Sequence, residues 1–241
     1  MLDIAYDIDQ PYWKPTTPAG TPNPVDEGTW TPYHPESWVI HWGGVGPYNT
    51  LTKNNHAALC RAWHQYHQSK HGWRWLAYNA VIAENGRVAR ARGWNQNGAN
   101  KNSSIWGPIT YTACMAWGRN NRNVPPKAQR KGFARMFIEN PMAVTGHGLL
   151  PGQGTSCPGE WYTQWILNQG WYDDLGLQKK GRRNKQVRSL RRRLRTLNYW
   201  DGPDGKKFTE RIRKAVLRFQ ADRGLFVDGI VGPSTWRELA A

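Results

Sequence analysis

Two histidines and one cysteine carry the first chemical signal in this 241-residue chain. His41 closes the apolar run Trp38-Val39-Ile40-His41. His147 stands in Thr145-Gly146-His147-Gly148, and Cys157 follows in Thr155-Ser156-Cys157-Pro158-Gly159. Imidazole and thiolate are both good ligands for Zn²⁺. Two His and one Cys make a three-ligand set of the kind catalytic zinc sites use, with the fourth position open for water. The remaining histidines, His34, His56, His64, His67 and His71, are expected to face solvent or to support the site from behind. Cys60 and Cys114 read as small buried apolar residues. An odd number of widely spaced cysteines is no disulfide framework.

These segments, with Trp75-Leu76-Ala77-Tyr78-Asn79-Ala80-Val81-Ile82, Arg92-Gly93-Trp94-Asn95 and Asn102-Ser103-Ser104-Ile105, resemble one family. It is the zinc-dependent N-acetylmuramoyl-L-alanine amidases related to peptidoglycan-recognition proteins and phage lysozyme-type amidases. The match runs in order from about residue 37 to 166. It implies that His41, His147 and Cys157 bind Zn²⁺ and that Tyr78 is a catalytic tyrosine. It also puts Thr155 where members carry lysine or threonine, and Gly93, Trp94 and Asn95 at the substrate. The Gly93-Trp94 pair accompanies, by the same resemblance, a preference for diaminopimelate over lysine in the stem peptide. Asn79 and Asn100 depart from the pattern, standing where a histidine is common.

The elements that must position these residues are legible in part. Residues 1–36 are rich in Pro, Thr and Asp and read as an extended arm. A buried strand is expected at 38–42. A helix over 52–69 follows from the recurrence of Leu59, Trp63 and Tyr66, with Thr52 as its cap. Strands at 78–83 and 87–91 flank Glu84-Asn85-Gly86, whose Asn-Gly suits a tight hairpin. A strand near 103–109, a helix at 127–139, a strand at 143–147 and a helix from Pro158-Gly159 to about 168 complete an α/β layer structure. The expected fold is a mixed central sheet flanked by helices over 37–173, a linker at 174–184, and a small all-α domain at 185–241.

That last region carries two amphipathic patterns, Val187/Leu190/Leu194/Leu197 and Ile212/Ala215/Val216/Phe219. With Phe219-Gln220 and the ending Asp228-Gly229-Ile230-Val231-Gly232-Pro233-Ser234-Thr235-Trp236, it resembles the three-helix peptidoglycan-binding domain found beside many wall hydrolases. From Gly176 onward the chain has 18 Lys and Arg against 6 Asp and Glu, which accounts for most of the formal net charge of +16. Such a tail seeks a polyanion. Charge alone does not choose between nucleic acid and anionic cell-envelope polymers. The leucine stripe beneath Arg188–Arg195 favours a packed helix with a cationic outer face, and the resemblance to wall-binding domains then implies the envelope and no nucleic acid. The 15 tryptophans are expected mostly in the core, several lining a surface that stacks on sugar or peptide.

No apolar run is long enough to span a membrane. The N-terminus lacks the basic and apolar regions of a signal peptide. With the resemblance, this implies a phage endolysin that waits in the host cytoplasm and reaches the wall at lysis. The expected activity is hydrolysis of the amide between N-acetylmuramic acid and L-alanine in bacterial peptidoglycan. The alternative is a non-catalytic peptidoglycan-binding protein, against which retention of all three ligands speaks.

Overall fold

The computed structural model describes residues 35–43, 56–71, 76–91, 103–116 and 124–241. Its centre is a five-stranded sheet built from β1 (Ser37–Trp42), β2 (Ala80–Ala83), β3 (Val88–Arg90), β4 (Thr110–Ala116) and β5 (Ala143–Gly146), in the order β3-β2-β4-β1-β5. β1 pairs in parallel with β4 and β5, and β2 in parallel with β4. The β2–β3 hairpin is antiparallel, so the sheet is mixed.

Both faces of the sheet are covered. On one face Trp38, Ile40, Ile82, Ala113 and Met115 meet Phe133 and Phe137 of α3 (Lys127–Glu139) and Trp165 of α4 (Glu160–Leu167). On the other, Val81, Ala89, Cys114 and Ala116 pack on Leu59, Cys60 and Trp63 of α1 (His56–His71). Alternate residues of each strand serve opposite layers. The hairpin turn carries Gly86 at φ 76°, where a side chain would run into the carbonyl of Ala128 on α3.

The strand expected near 103–109 is replaced by a short helix, α2 (Ser103–Trp106), and a 3-10 turn at Gly107–Ile109. Pro108 has no N–H for a ladder, which keeps it out of a central strand. The true strand is the next seven residues, all buried. Covered on both sides, they show no polar alternation to read. The hairpin, α3, α4 and the strand ending before His147 lie where expected. The arm through residue 34, the cap Thr52, Asn100 and the substrate stretch Gly93, Trp94 and Asn95 lie outside the described residues.

After α5 (Trp171–Leu175) come α6 (Lys185–Thr196), α7 (Glu210–Asp222) and α8 (Pro233–Ala240). The side chain of Asn184 caps α6 through Val187 N–H at 3.0 Å, and Pro233 opens α8. Gln220 explains the terminal motif. Fully buried, it receives Gly229 N–H at 2.8 Å and donates to Asp228 at 2.9 Å and to the Ile230 carbonyl at 3.0 Å. It thereby ties the end of α7 to the Asp-Gly turn.

The segment 174–184 is pinned at several points, although Leu177 and residues 179–183 are exposed. Asp174 bonds Trp165 and Arg130, Gln178 bridges to Val231, and the Trp236 indole donates to the Gly176 carbonyl at 2.8 Å. Residues of all three C-terminal helices join the same apolar cluster as the sheet. Among the described residues no tryptophan is exposed, and no helix is long and apolar enough to cross a membrane.

Candidate metal centre

Strand register brings the two histidines together. β1 and β5 run parallel with Ile40 opposite Gly146, so the next residues along, His41 and His147, leave the carboxyl ends of neighbouring strands side by side. Adjacent strands lie about 4.8 Å apart, and the two imidazole centroids are 4.4 Å apart. Carboxyl ends of parallel strands are where such sheets place ligands.

Cys157 returns to this point through a loop closed by one backbone bond, from Gly148 N–H to the Cys157 carbonyl at 2.5 Å. A Cβ at position 148 would overlap the Thr155 carbonyl and lie 2.8 Å from that of Cys157, so the closure needs glycine. The ligand atoms of His41, His147 and Cys157 all lie within 4.8 Å of one another. The Cys157 Sγ is 3.7 Å from His41 Nδ1. In a tetrahedral Zn²⁺ site the N···S edge is about 3.6 Å, given Zn–N near 2.1 Å and Zn–S near 2.3 Å. The donor types and spacing fit zinc.

Gln153 joins the site without any signal in the sequence. It is buried, and its Oε1 lies 3.1 Å from His147 Nε2. An oxygen there calls for a proton on Nε2, which makes Nδ1 the basic nitrogen of the ring. Metal-binding histidines are commonly held in this way by an acceptor behind the ring. Nothing in Pro151-Gly152-Gln153 announces the contact, because it exists only once the loop has closed.

Tyr78 precedes β2 and packs against His41, with ring centroids 5.3 Å apart, and against Trp63 and His67 of α1. It shares a hydrogen bond with the thiol of Cys114, which sits opposite His41 on β4. Burial, more than the neighbouring thiols, holds its phenol well above the usual value, so it stays protonated and able to donate. Burial also pushes the Cys157 thiol up to about 12, opposed in part by a bond from the Trp42 backbone. Without a cation this sulfur keeps its proton.

Thr155 is exposed at the loop rim, its hydroxyl oxygen accepting Cys157 N–H at 3.2 Å. The hydroxyl proton remains for another acceptor. Asn79, in place of the common histidine, is a structural tie that accepts Thr112 N–H at 2.8 Å between β2 and β4. His64 is buried and does not face solvent. Among the described residues, only His41, His147 and Cys157 form a metal-type cluster.

Comparisons with known proteins follow the same division of the chain. Peptidoglycan recognition protein 1 of Mus musculus is 32% identical over 113 residues, covering 44% of this chain and 59% of that protein. Peptidoglycan-recognition protein SC1a of Drosophila melanogaster is 27% identical over 121 residues, covering 47% and 62%. The chain thus spans about three-fifths of the length of these curated relatives. The solved Drosophila PGRP-LB covers 55% of this chain and 79% of its own, at 20% identity and a TM-score of 0.46. Apis mellifera PGRP-SA gives 55%, 81%, 16% and 0.48. Residues 183–239 match the family model "Putative peptidoglycan binding domain". The chain therefore joins an α/β region similar in sequence to peptidoglycan-recognition proteins to a C-terminal peptidoglycan-binding domain.

Proposed function

We propose that the protein is a zinc-dependent N-acetylmuramoyl-L-alanine amidase acting on bacterial peptidoglycan, of the endolysin type that a phage deploys against its host wall. The observation that carries this reading is the convergence of His41, His147 and Cys157, with ligand atoms within 4.8 Å of one another beside Tyr78. The names of the similar proteins and of the C-terminal family model support peptidoglycan as the substrate.

His41, His147 and Cys157 would hold the ion, and Gln153 would fix the His147 tautomer. When bound, Zn²⁺ supplies a water acidified from a pKa of about 15.7 to about 7, and polarises a carbonyl. Two neutral imidazoles and one thiolate leave the centre a formal charge of about +1. Tyr78, a protonated phenol against His41, donates a hydrogen bond toward the attacking oxygen or the scissile carbonyl. Thr155, with its proton unused at the rim, donates to the carbonyl oxygen as negative charge develops there. The C-terminal domain keeps the enzyme on an insoluble substrate and raises its effective concentration.

The test is release of L-alanine amino termini from purified peptidoglycan by the full chain, with and without chelator and with zinc restored. Zinc-reversible release supports the amidase. Wall binding without release at any zinc level leaves the second reading, a peptidoglycan-binding protein without turnover.

A further inference from the structure

The arginines of α6 and the cations just before it meet different fates. Arg191 is buried and donates to the carbonyls of Pro203 and Lys207. Arg192 pairs with Glu139 and Asp204, Arg193 bonds the Leu239 carbonyl, and Arg195 bonds Gly202 and Asp204. The outer face expected to be cationic is largely engaged in holding the fold together.

The free charge lies instead on a short ribbon made by residues 181–184 and 206–208. Gly181 N–H donates to the Phe208 carbonyl at 3.0 Å, Phe208 N–H to Arg182 at 2.7 Å, and Asn184 N–H to Lys206 at 3.0 Å. Arg183 and Lys207 are paired directly opposite each other between those bonds. This is the closely spaced kind of antiparallel pair, with Cα atoms about 4.5 Å apart and both side chains on one face. Like charges so placed are destabilising.

Lys179, Arg182, Arg183, Lys206 and Lys207 are all exposed. Among the described residues none of them has an acidic partner, whereas neighbouring Lys180 is held by Glu210 at 2.9 Å. The nearby acids are committed elsewhere, Asp204 to Arg192 and Arg195, and Asp201 to Arg211. Phe208, fully buried, anchors the ribbon.

We infer that this ribbon binds a phosphodiester-linked polyanion attached to the cell wall, an inference that rests on the wall-directed reading above. Repeating phosphates on a flexible chain match a cluster of cations that lacks its counter-charge. Arg182 and Arg183 offer forked donors suited to phosphate oxygens, and the lysines add point charge. Single-stranded nucleic acid has the same charge but calls for exposed aromatic rings to stack its bases. The ribbon's aromatic residue is the buried Phe208.

The experiment is co-sedimentation of the full chain with walls that retain their phosphodiester polymers and with the same walls stripped of them by hydrofluoric acid. Arg183→Glu is compared with the unaltered chain at low and high salt. At low salt the variant should bind polymer-bearing walls roughly three- to tenfold more weakly, with the difference vanishing at high salt. Its melting temperature should be equal or higher, because the introduced carboxylate would face Lys207 as an opposite charge. Both proteins should bind stripped walls equally, which tests the peptidoglycan reading separately. Equal binding of both proteins to polymer-bearing walls at low salt overturns the ribbon. Tighter binding to single-stranded DNA than to polymer-bearing walls overturns its occupant.

Discussion

His147 Nε2 and Gln153 Oε1 face each other at 3.1 Å, across a loop whose other end delivers Cys157 to the same point. The contact sets which imidazole nitrogen would be the donor to a metal. Gln153→Leu should lower zinc affinity about 10- to 100-fold, the usual cost of losing an acceptor behind a metal-bound histidine. Chelator competition measures it, and the visible spectrum of the cobalt-substituted protein reports whether the donor set is unchanged. Unaltered affinity would show that Gln153 packs without positioning.

Loop closure itself is a second target. Gly148→Ala leaves all three ligands in place but sets a methyl group against the carbonyls of Thr155 and Cys157. The loop must open, which moves His147 and Cys157 apart. We expect a zinc affinity at least about tenfold weaker, since metal sites tolerate only a few tenths of an ångström in ligand placement. Isothermal titration of refolded, metal-free protein checks this, and the variant's circular dichroism should match that of the parent.

The thiol gives a pH dependence whose sign follows from burial. Cys157 has its pKa raised from 9.0 to about 12 in the metal-free fold. A raised folded-state value means that the contribution to stability is complete below the unfolded pKa and is lost as pH rises through 9 toward 12. In chelator, the melting temperature should therefore fall over that window. Zinc acts in the opposite sense, because it requires the thiolate. Its binding should release a proton and tighten as pH rises from 6 to 8. Titrations in buffers of different ionisation enthalpy count that proton. A release near zero at pH 8 would mean that Cys157 is not a ligand.

The sequence exposes the ligands because each carries its own flanking signature, and it exposes the helices because their apolar residues repeat. It conceals what depends on register. Nothing local says that Ile40 faces Gly146, yet that pairing is what sets His41 beside His147. The strand Thr110–Ala116 is hidden because burial on both faces erases alternation. The arginines of α6 look like a surface charge run in one dimension. In the fold their heads reach carbonyls at 202, 203 and 207, in the segment that follows α6, and at 239, in α8.

The join between the two halves is the last feature open to test. Glu139, at the end of α3, accepts the Ser189 hydroxyl at 2.5 Å and pairs with Arg192 at 3.1 Å, both on α6. Its side chain is 8% exposed and that of Arg192 21%. Removing one partner of a well-buried pair costs about 3–5 kcal/mol. Arg192 keeps Asp204, so Glu139→Ala should cost less, about 1–3 kcal/mol. Because α3 and α6 share one apolar cluster, the unaltered protein should melt in a single transition, and Glu139→Ala should lower it or split it in two. A double-mutant cycle with Arg192→Ala separates the pair from general damage, with a coupling of about 1 kcal/mol expected for residues in direct contact. Two well-separated transitions in the unaltered chain would show that the halves are energetically independent despite the packing.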